Sequence, residues 1–117
     1  MITSQDIKAL KGEGDAYKRK CIAMIKDILR QHDAKDEDHA IQFDAKNGQA
    51  PQFNSNNCVF DEGQEVYITE MWLDENGDLR ANYQSVEEGE EEYDQLVENE
   101  SEFDYEDTLG WLANVVD

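Results

Sequence analysis

One set of three residues in this 117-residue chain could carry out nucleophilic catalysis. Cys58 could supply a thiolate, His39 a base and Asp44 the group that orients the base, if neighbouring strands brought them together. However, Cys58 and Phe60 share a strand face at period two, which is typical of a small core side chain. The sequence also lacks the phosphate-loop, dinucleotide, zinc-protease and esterase motifs. We therefore predict no enzyme and no catalytic residues, with a small Cys-dependent enzyme using Cys58 and His39 as the alternative.

A second pattern resembles a cation site. Asp74, Asn76 and Asp78 alternate as the first ligands of a calcium-binding loop do. Leu79 nevertheless stands where that loop needs glycine, and Ser85 stands where it needs a bidentate glutamate. Because a β-hairpin turn explains the same residues better, we predict no metal site and no cofactor.

The densest charge lies in residues 87 to 107, EEGEEEYDQLVENESEFDYED, which hold twelve carboxylates and no Lys, Arg or His. Such a stretch could be a disordered tail, a solvated helix face, a cation site or an imitation of a nucleic-acid backbone. Like charges four residues apart would oppose one continuous helix by roughly 1.5 to 3.5 kcal/mol in total. Burial of Tyr93, Leu96 and Val97 could offset that cost locally. We predict a short acidic helix near residues 90 to 98, within a partly flexible acidic segment near 86 to 104.

Charge is distributed unevenly along the chain, whose net charge is -19. Residues 1 to 35 have eight Lys or Arg against five Asp or Glu, a net of +3, whereas residues 36 to 117 have two against twenty-four, a net of -22. Such a field attracts basic proteins and repels nucleic acid and anionic membranes. We predict a basic protein as partner, with nucleic-acid-binding proteins foremost, and neither direct nucleic-acid binding nor membrane binding.

Imitation of nucleic acid is a quantitative question. Duplex DNA presents one charge per about 1.7 Å of axis, whereas the acidic stretch as a full helix would present one per roughly 2.6 Å. Carboxylates elsewhere would therefore have to complete the field. The predicted partner-binding residues are those of the acidic stretch and one cross-strand pair, namely Glu87, Glu88, Glu90, Glu91, Glu92, Asp94, Glu98, Glu100, Glu102, Asp104, Trp72 and Arg80.

Two uncharged or mixed features compete with the acidic stretch as recognition surfaces. Trp72 and Arg80 are expected to face each other on the outer side of a sheet, where an aromatic residue beside arginine is typical of interfaces. A cation stacked on a ring can equally shield a sheet face. The second feature is the nearly uncharged loop AKNGQAPQFNSNN at residues 45 to 57, since loops often carry recognition.

The elements that must position these residues begin with a helix. Tyr17, Cys21 and Ile25 recur with Met24 and Ile28 at three- and four-residue steps, which predicts a long N-terminal amphipathic helix. Glycines at 12 and 14 predict a break, with the aspartate at 15 capping the longer part.

Two hairpins are predicted next. In the first, Gly48 takes a left-handed conformation and sets Phe43 opposite Pro51. The run of residues 57 to 60 adds one strand.

In the second hairpin, Gly77 is the left-handed residue. Its register pairs Trp72 with Arg80, and it also predicts the pairs Leu73 with Leu79, Met71 with Ala81, and Thr69 with Tyr83.

The pattern ends with a helix that begins at Glu106 and Asp107, whose charges favour a helix start. The predicted fold class is α+β: a long N-terminal helix, an antiparallel β-meander of four to five strands and a short C-terminal helix packed on one sheet face. Residues 1 to 117 form a single domain, and the lack of an apolar span or signal core predicts a cytoplasmic protein. We predict that the protein is a non-catalytic intracellular protein-binding module that acts through a strongly acidic surface. The most specific form of this prediction is an inhibitor that imitates nucleic acid. Oligomeric state is left open.

Overall fold

The computed structural model describes residues 1–54, 65–85, 92–96 and 104–116, without the side chains of residues 46, 53, 54 and 92–96. Single-turn 3-10 segments occur at Glu37–His39 and Ala45–Asn47. The chain is α+β, as predicted, with N-terminal helices, an antiparallel sheet and a C-terminal helix. In chain order the elements are α1 (Ser4–Ala9), α2 (Gly14–Gln31), β1 (Ile41–Gln42), β2 (Gln52–Asn54), β3 (Glu65–Leu73), β4 (Leu79–Ser85), β5 (Glu92–Leu96) and α3 (Tyr105–Val116).

The predicted break in the first helix separates α1 from α2. Gly12 has a φ of +158°, and a Cβ at this position would lie 3.1 Å from the Tyr17 side chain. Glycine therefore lets the connection pass close to α2. The predicted cap is wrong, because Glu13 occupies the N-cap position and Asp15 lies in the first turn, where its charge still favours the helix dipole.

The β3–β4 hairpin follows the predicted register near its turn. Trp72 pairs with Arg80, and the neighbouring pairs on the opposite face are those predicted as well. Gly77 has a φ of +79°. Asp74 Oδ1 accepts the backbone N–H groups of Asn76 and Asp78, each at 2.9 Å. These aspartate and asparagine residues thus build the turn, which is why they alternate in sequence.

Farther from the turn the predicted register is wrong by one residue. A β-bulge between Ile68 and Glu70 places Ile68, rather than Thr69, opposite Tyr83. The extra residue turns Ile68 to the same face as Met71, and both are fully buried. Burial of apolar side chains on both sides of the bulge favours this arrangement over the uninterrupted alternation predicted from sequence.

The first predicted hairpin is also wrong. β1 and β2 both pair antiparallel with β3, so they lie one after the other along the same edge. Phe43 N–H donates to Thr69 O at 2.8 Å, and Ile68 N–H donates to Pro51 O at 2.9 Å. Gly48 is left-handed as predicted, with a φ of +70°, but it closes only a small excursion between the two segments. The edge of β3 satisfies the backbone groups that the predicted hairpin would have paired internally.

The sheet has the order β1-β3-β4-β5, with β2 also on β3, and is not a simple meander. Among the described residues, β3, β4 and β5 are the strands longer than three residues, so the full-length strands there number three, fewer than the predicted four to five. The strand predicted at residues 57 to 60 lies outside the described residues.

The acidic segment contains a strand where a helix was predicted. β5 pairs antiparallel with β4, and its register sets Leu96 opposite Arg80 and Glu92 opposite Gln84. Pairing with a neighbouring strand supplies backbone hydrogen bonds without placing carboxylates four residues apart on one helix face. The remainder of the predicted flexible segment, residues 86–91 and 97–103, lies outside the description.

The core lies between the helices and one face of the sheet. Ile25, Ile28 and Leu112 are fully buried in the same cluster as Val66 and Tyr83 of the sheet. α3 packs against both α1 and α2. The other, outer face of the sheet carries Glu70, Trp72, Arg80, Asn82 and Gln84 in alternation with the core residues. Of these, Glu70 and Arg80 are partly exposed and the other three are buried.

The described part of the chain contains no helix with the length and apolar character needed to cross a membrane.

Candidate acidic binding surface

The predicted catalytic set is not assembled in the described residues. His39 Nδ1 lies 2.6 Å from Asp36 Oδ1, and Asp36 also accepts the His39 backbone N–H at 2.9 Å. The hydrogen bond from His39 holds the pKa of Asp36 below its usual value. Asp44, the predicted orienting group, instead accepts a hydrogen bond from Asn47 Nδ2 at 2.6 Å. His39 therefore has Asp36 as its carboxylate partner, and not Asp44 as predicted. Cys58 lies outside the described residues.

Trp72, which was predicted to form an interface together with Arg80, has a buried side chain. The two residues do pair across the hairpin, but Trp72 is only 5% exposed and belongs to the buried cluster. Arg80 is partly buried and lies 3.9 Å from Asp74. The chain that leaves α2 returns to this end of the sheet, where Leu73 N–H donates to Ala34 O at 2.9 Å. Trp72 is therefore a core side chain.

Of the ten predicted acidic partner-binding residues, the structure places three. Glu92 and Asp94 lie in β5, at the register positions opposite Gln84 and Asn82. Asp104 is exposed and precedes α3, where its Oδ1 accepts the Asp107 N–H at 2.8 Å, so this carboxylate caps the helix. The other predicted members are outside the described residues: Glu87, Glu88, Glu90, Glu91, Glu98, Glu100 and Glu102.

Sequence reasoning missed an amide that holds two carboxylates. Asn82 is 3% exposed, and its Nδ2 donates to Glu70 Oε1 at 2.6 Å and to Glu37 Oε1 at 3.0 Å. Since an amide nitrogen has two hydrogens, both donors are used. The two like charges are consequently held side by side on the outer sheet face, where a neighbouring cation would reduce their mutual repulsion.

The backbone register extends this arrangement into a row across the sheet. Gln42 pairs with Glu70, Glu70 with Asn82, and Asn82 with Asp94. Neighbouring strands are about 4.8 Å apart, so the Cα atoms of positions 70 and 94 are roughly 10 Å apart with the amide residue between them. Carboxylate-bearing positions thus flank Asn82 on both sides.

A polar cleft of about 360 Å³ opens beside this row. Thr69 at its wall is 8% exposed and donates its hydroxyl hydrogen to Asn82 O at 3.2 Å. The described lining residues include two carboxylates and no basic side chain, and they are Gln42, Phe43, Asp44, Ala45, Thr69, Glu70 and Gln84. The arrangement suits a hydrogen-bond-donating, positively charged group.

The pairing of Glu70 with Asn82 could have been found from sequence, because it follows from the predicted hairpin register. Asparagine in mid-strand is uncommon, which marks the position as unusual. Glu37 could not have been found this way, since it lies 45 residues from Asn82 in sequence.

Within the described ranges, His, Cys, Asp and Glu residues form no group of three or more suited to a metal ion. Comparison with known protein families, curated proteins and solved structures gives no match. The described residues thus form an α+β fold in which Asn82 holds Glu37 and Glu70 beside a polar cleft.

Proposed function

We propose that this protein is a non-catalytic module that binds a basic protein through its acidic surface. The observation that carries the proposal is the Asn82 amide, which keeps Glu37 and Glu70 together beside a cleft that Asp44 also lines. A partner's Lys or Arg placed beside these carboxylates would form charge-assisted hydrogen bonds with them. The sequence-wide charge of -19 adds long-range attraction for a basic partner.

The sharper form of the proposal is an inhibitor that occupies the nucleic-acid site of a basic protein. A strand rises about 3.3 Å per residue, so alternate backbone positions of β5 such as 92 and 94 are about 6.6 Å apart, a wider spacing than that of DNA phosphates along the helix axis. Imitation therefore requires a second row of charge. Glu70 and Glu37 are suited to this role because Glu70 lies on β3, across β4 from β5, and Glu37 is held beside it through Asn82.

The test is a pull-down with the full chain from nuclease-treated lysate of the native host, with partners identified by mass spectrometry. We expect capture of nucleic-acid-binding proteins at about 0.1 M salt and release at about 0.5 M, because the screening length falls from about 10 Å to well below it. DNA should compete with the captured partner. A partner that resists both high salt and DNA would contradict the sharper form, and failure to capture any basic protein would contradict the proposal.

A triple variant connects the binding to the described surface. Glu37→Gln, Asp44→Asn and Glu70→Gln together remove three charges while retaining hydrogen-bond acceptors for Asn82. The matched control also removes three charges, all exposed and in or beside the helices: Glu13→Gln, Asp15→Asn and Glu106→Gln. Each close pair lost costs about 1 kcal/mol, so the first variant should bind the identified partner at least tenfold more weakly than the control does. Equal effects would assign the binding to net charge alone.

The enzymatic alternative is tested by Cys58→Ala. Because the proposal assigns no chemistry to this thiol, partner binding should be unchanged in the variant. An activity of the full chain that disappears with this substitution would favour the alternative.

A further inference from the structure

The surface of α2 that faces away from the core contains an apolar groove with a basic rim. A cleft of about 350 Å³ is lined by Lys18, Arg19, Ile22, Ala23 and Lys26. Two of these residues are apolar, three are basic and none is acidic. The basic residues belong to the first 35 residues, which have a net charge of +3 in a chain of -19. The groove is therefore opposite in sign to most of the protein.

The apolar surface continues past Ala23 into a second cleft. This cleft, of about 510 Å³, lies between α1 and α2 and adds Ile2, Leu10 and Met24 to the apolar surface. Its charged lining residues are Lys20, Asp6 and Asp27, so the basic rim belongs to the first cleft. Ile22 and Met24 are only partly buried, whereas Ile25 and Ile28 on the core side of the same helix are fully buried. α2 thus has more apolar surface than its contacts with the described core cover.

We infer that this groove binds an acidic amphipathic helix of a partner protein. The argument is charge complementarity: apolar side chains of such a helix would occupy the floor at Ile22 and Ala23, and its carboxylates would reach Lys18 and Arg19. The long stems of lysine and arginine extend the apolar floor while their charges stay at the rim. This surface lies on the helix side of the molecule, so the inference does not rest on the proposed function of the outer sheet face.

The experiment titrates the ¹⁵N-labelled full chain with a synthetic helix that has leucine at i, i+3, i+4 and i+7 and glutamate elsewhere. We expect amide shifts confined to residues 2 to 10 and 18 to 27, the segments that contain the lining residues of the two clefts. One control peptide replaces glutamate with lysine and the other replaces leucine with alanine, and neither should produce these shifts. Shifts on the sheet, or no shifts at all, would overturn the inference.

Charge reversal at the rim provides the quantitative test. The double variant Lys18→Glu and Arg19→Glu should weaken binding of the acidic helix about tenfold, while the matched double variant Lys8→Glu and Lys11→Glu should change it less than about twofold. The control residues are exposed and line neither cleft. Circular dichroism verifies that both variants fold. Equal effects of the two variants would refute binding of the acidic helix at the groove. If the unliganded chain sediments as a dimer and Arg19→Glu dissociates that dimer, the groove is a self-association surface. That result would refute the inference that the groove binds a partner protein.

Discussion

Asn82 and Glu70 form a cross-strand pair in which the amide Nδ2 lies 2.6 Å from the carboxylate Oε1. Because Asn82 is almost completely buried, its amide could not be satisfied by bulk water. The same nitrogen also holds Glu37, which belongs to the segment between α2 and β1. One side chain therefore links the hairpin to a distant part of the chain and determines where two charges lie.

Replacing this amide should destabilise the protein. Asn82→Ala removes the donor for both carboxylates, and hydrogen bonds to charged groups are each worth about 1.5 to 3 kcal/mol, less where the carboxylate is exposed as Glu37 is. We expect a loss of about 2 kcal/mol in the free energy of unfolding, measured by urea denaturation. In a double-mutant cycle with Glu70→Ala, which removes the acceptor, the two effects should not add, since the residues share one contact. Additive losses would contradict the pairing.

Trp72 should behave as a core residue rather than as an interface anchor. With Trp111→Phe removing the only other tryptophan, the fluorescence of Trp72 should be shifted to the blue and poorly quenched by acrylamide, because its side chain is 5% exposed. Trp72→Ala should cost about 3 to 5 kcal/mol of stability. Trp72→Phe should retain partner binding, and selective loss of binding in a stable Trp72→Phe protein would restore the interface hypothesis.

Gly77 should tolerate asparagine better than alanine. Its φ of +79° lies in the left-handed region, where a residue with a Cβ is strained by about 1 kcal/mol and asparagine is the best tolerated of such residues. No atom lies within 4 Å of a Cβ built at this position, so conformation and not crowding determines the effect. Thermal unfolding should rank the proteins as glycine above asparagine above alanine. Equal stability of the three would exclude a left-handed turn.

Asp107 should give stability an unusual dependence on pH. Partial burial of its carboxylate against β2, where it accepts the Gln52 N–H at 3.4 Å, is the main cause that raises the pKa of Asp107, and the nearby Asp104 charge adds to it. The folded state then binds a proton more readily than the unfolded state, so this group's contribution to stability falls as pH rises from about 3.8 through the raised pKa.

The comparison that isolates this effect is Asp107→Asn, which retains an acceptor for Gln52 but does not titrate. Relative to the natural chain, the variant should gain stability as pH rises from about 3.8 toward neutrality, as measured by urea denaturation at several pH values. Other carboxylates such as Asp36, whose pKa is lowered, titrate equally in both proteins and cancel in the difference. A pH-independent difference would contradict the assignment.

Much of the fold was predictable where the determinants are local. The break between α1 and α2 follows from glycines close together, and the register around Trp72 and Arg80 follows from Gly77 and the period-two pattern. The start of α3 follows from acidic residues in the first turn. In the candidate site, the pairing of Glu70 with Asn82 is the part that the predicted hairpin register implies.

Two predicted sites differ in the tertiary structure from what their sequence patterns indicated. Trp72 pairs with Arg80 as predicted but is buried, and the next residue, Leu73, is hydrogen-bonded to Ala34 in the chain after α2. His39 forms its side-chain hydrogen bond with Asp36, three residues before it, instead of with Asp44. The period-two pattern on which both predictions were based contains no information about the contact of Leu73 with Ala34 or of His39 with Asp36.

The sequence by itself determined the charge asymmetry, the helix break and the turn of the second hairpin, because each depends on residue type within a few positions. Tertiary structure alone decided that residues 92 to 96 form a strand, that β1 and β2 share the edge of β3, and that a bulge follows Ile68. These outcomes depend on backbone hydrogen bonds and burial between distant segments. Such contacts outweigh local preference wherever an unpaired strand edge or an exposed apolar face is the alternative.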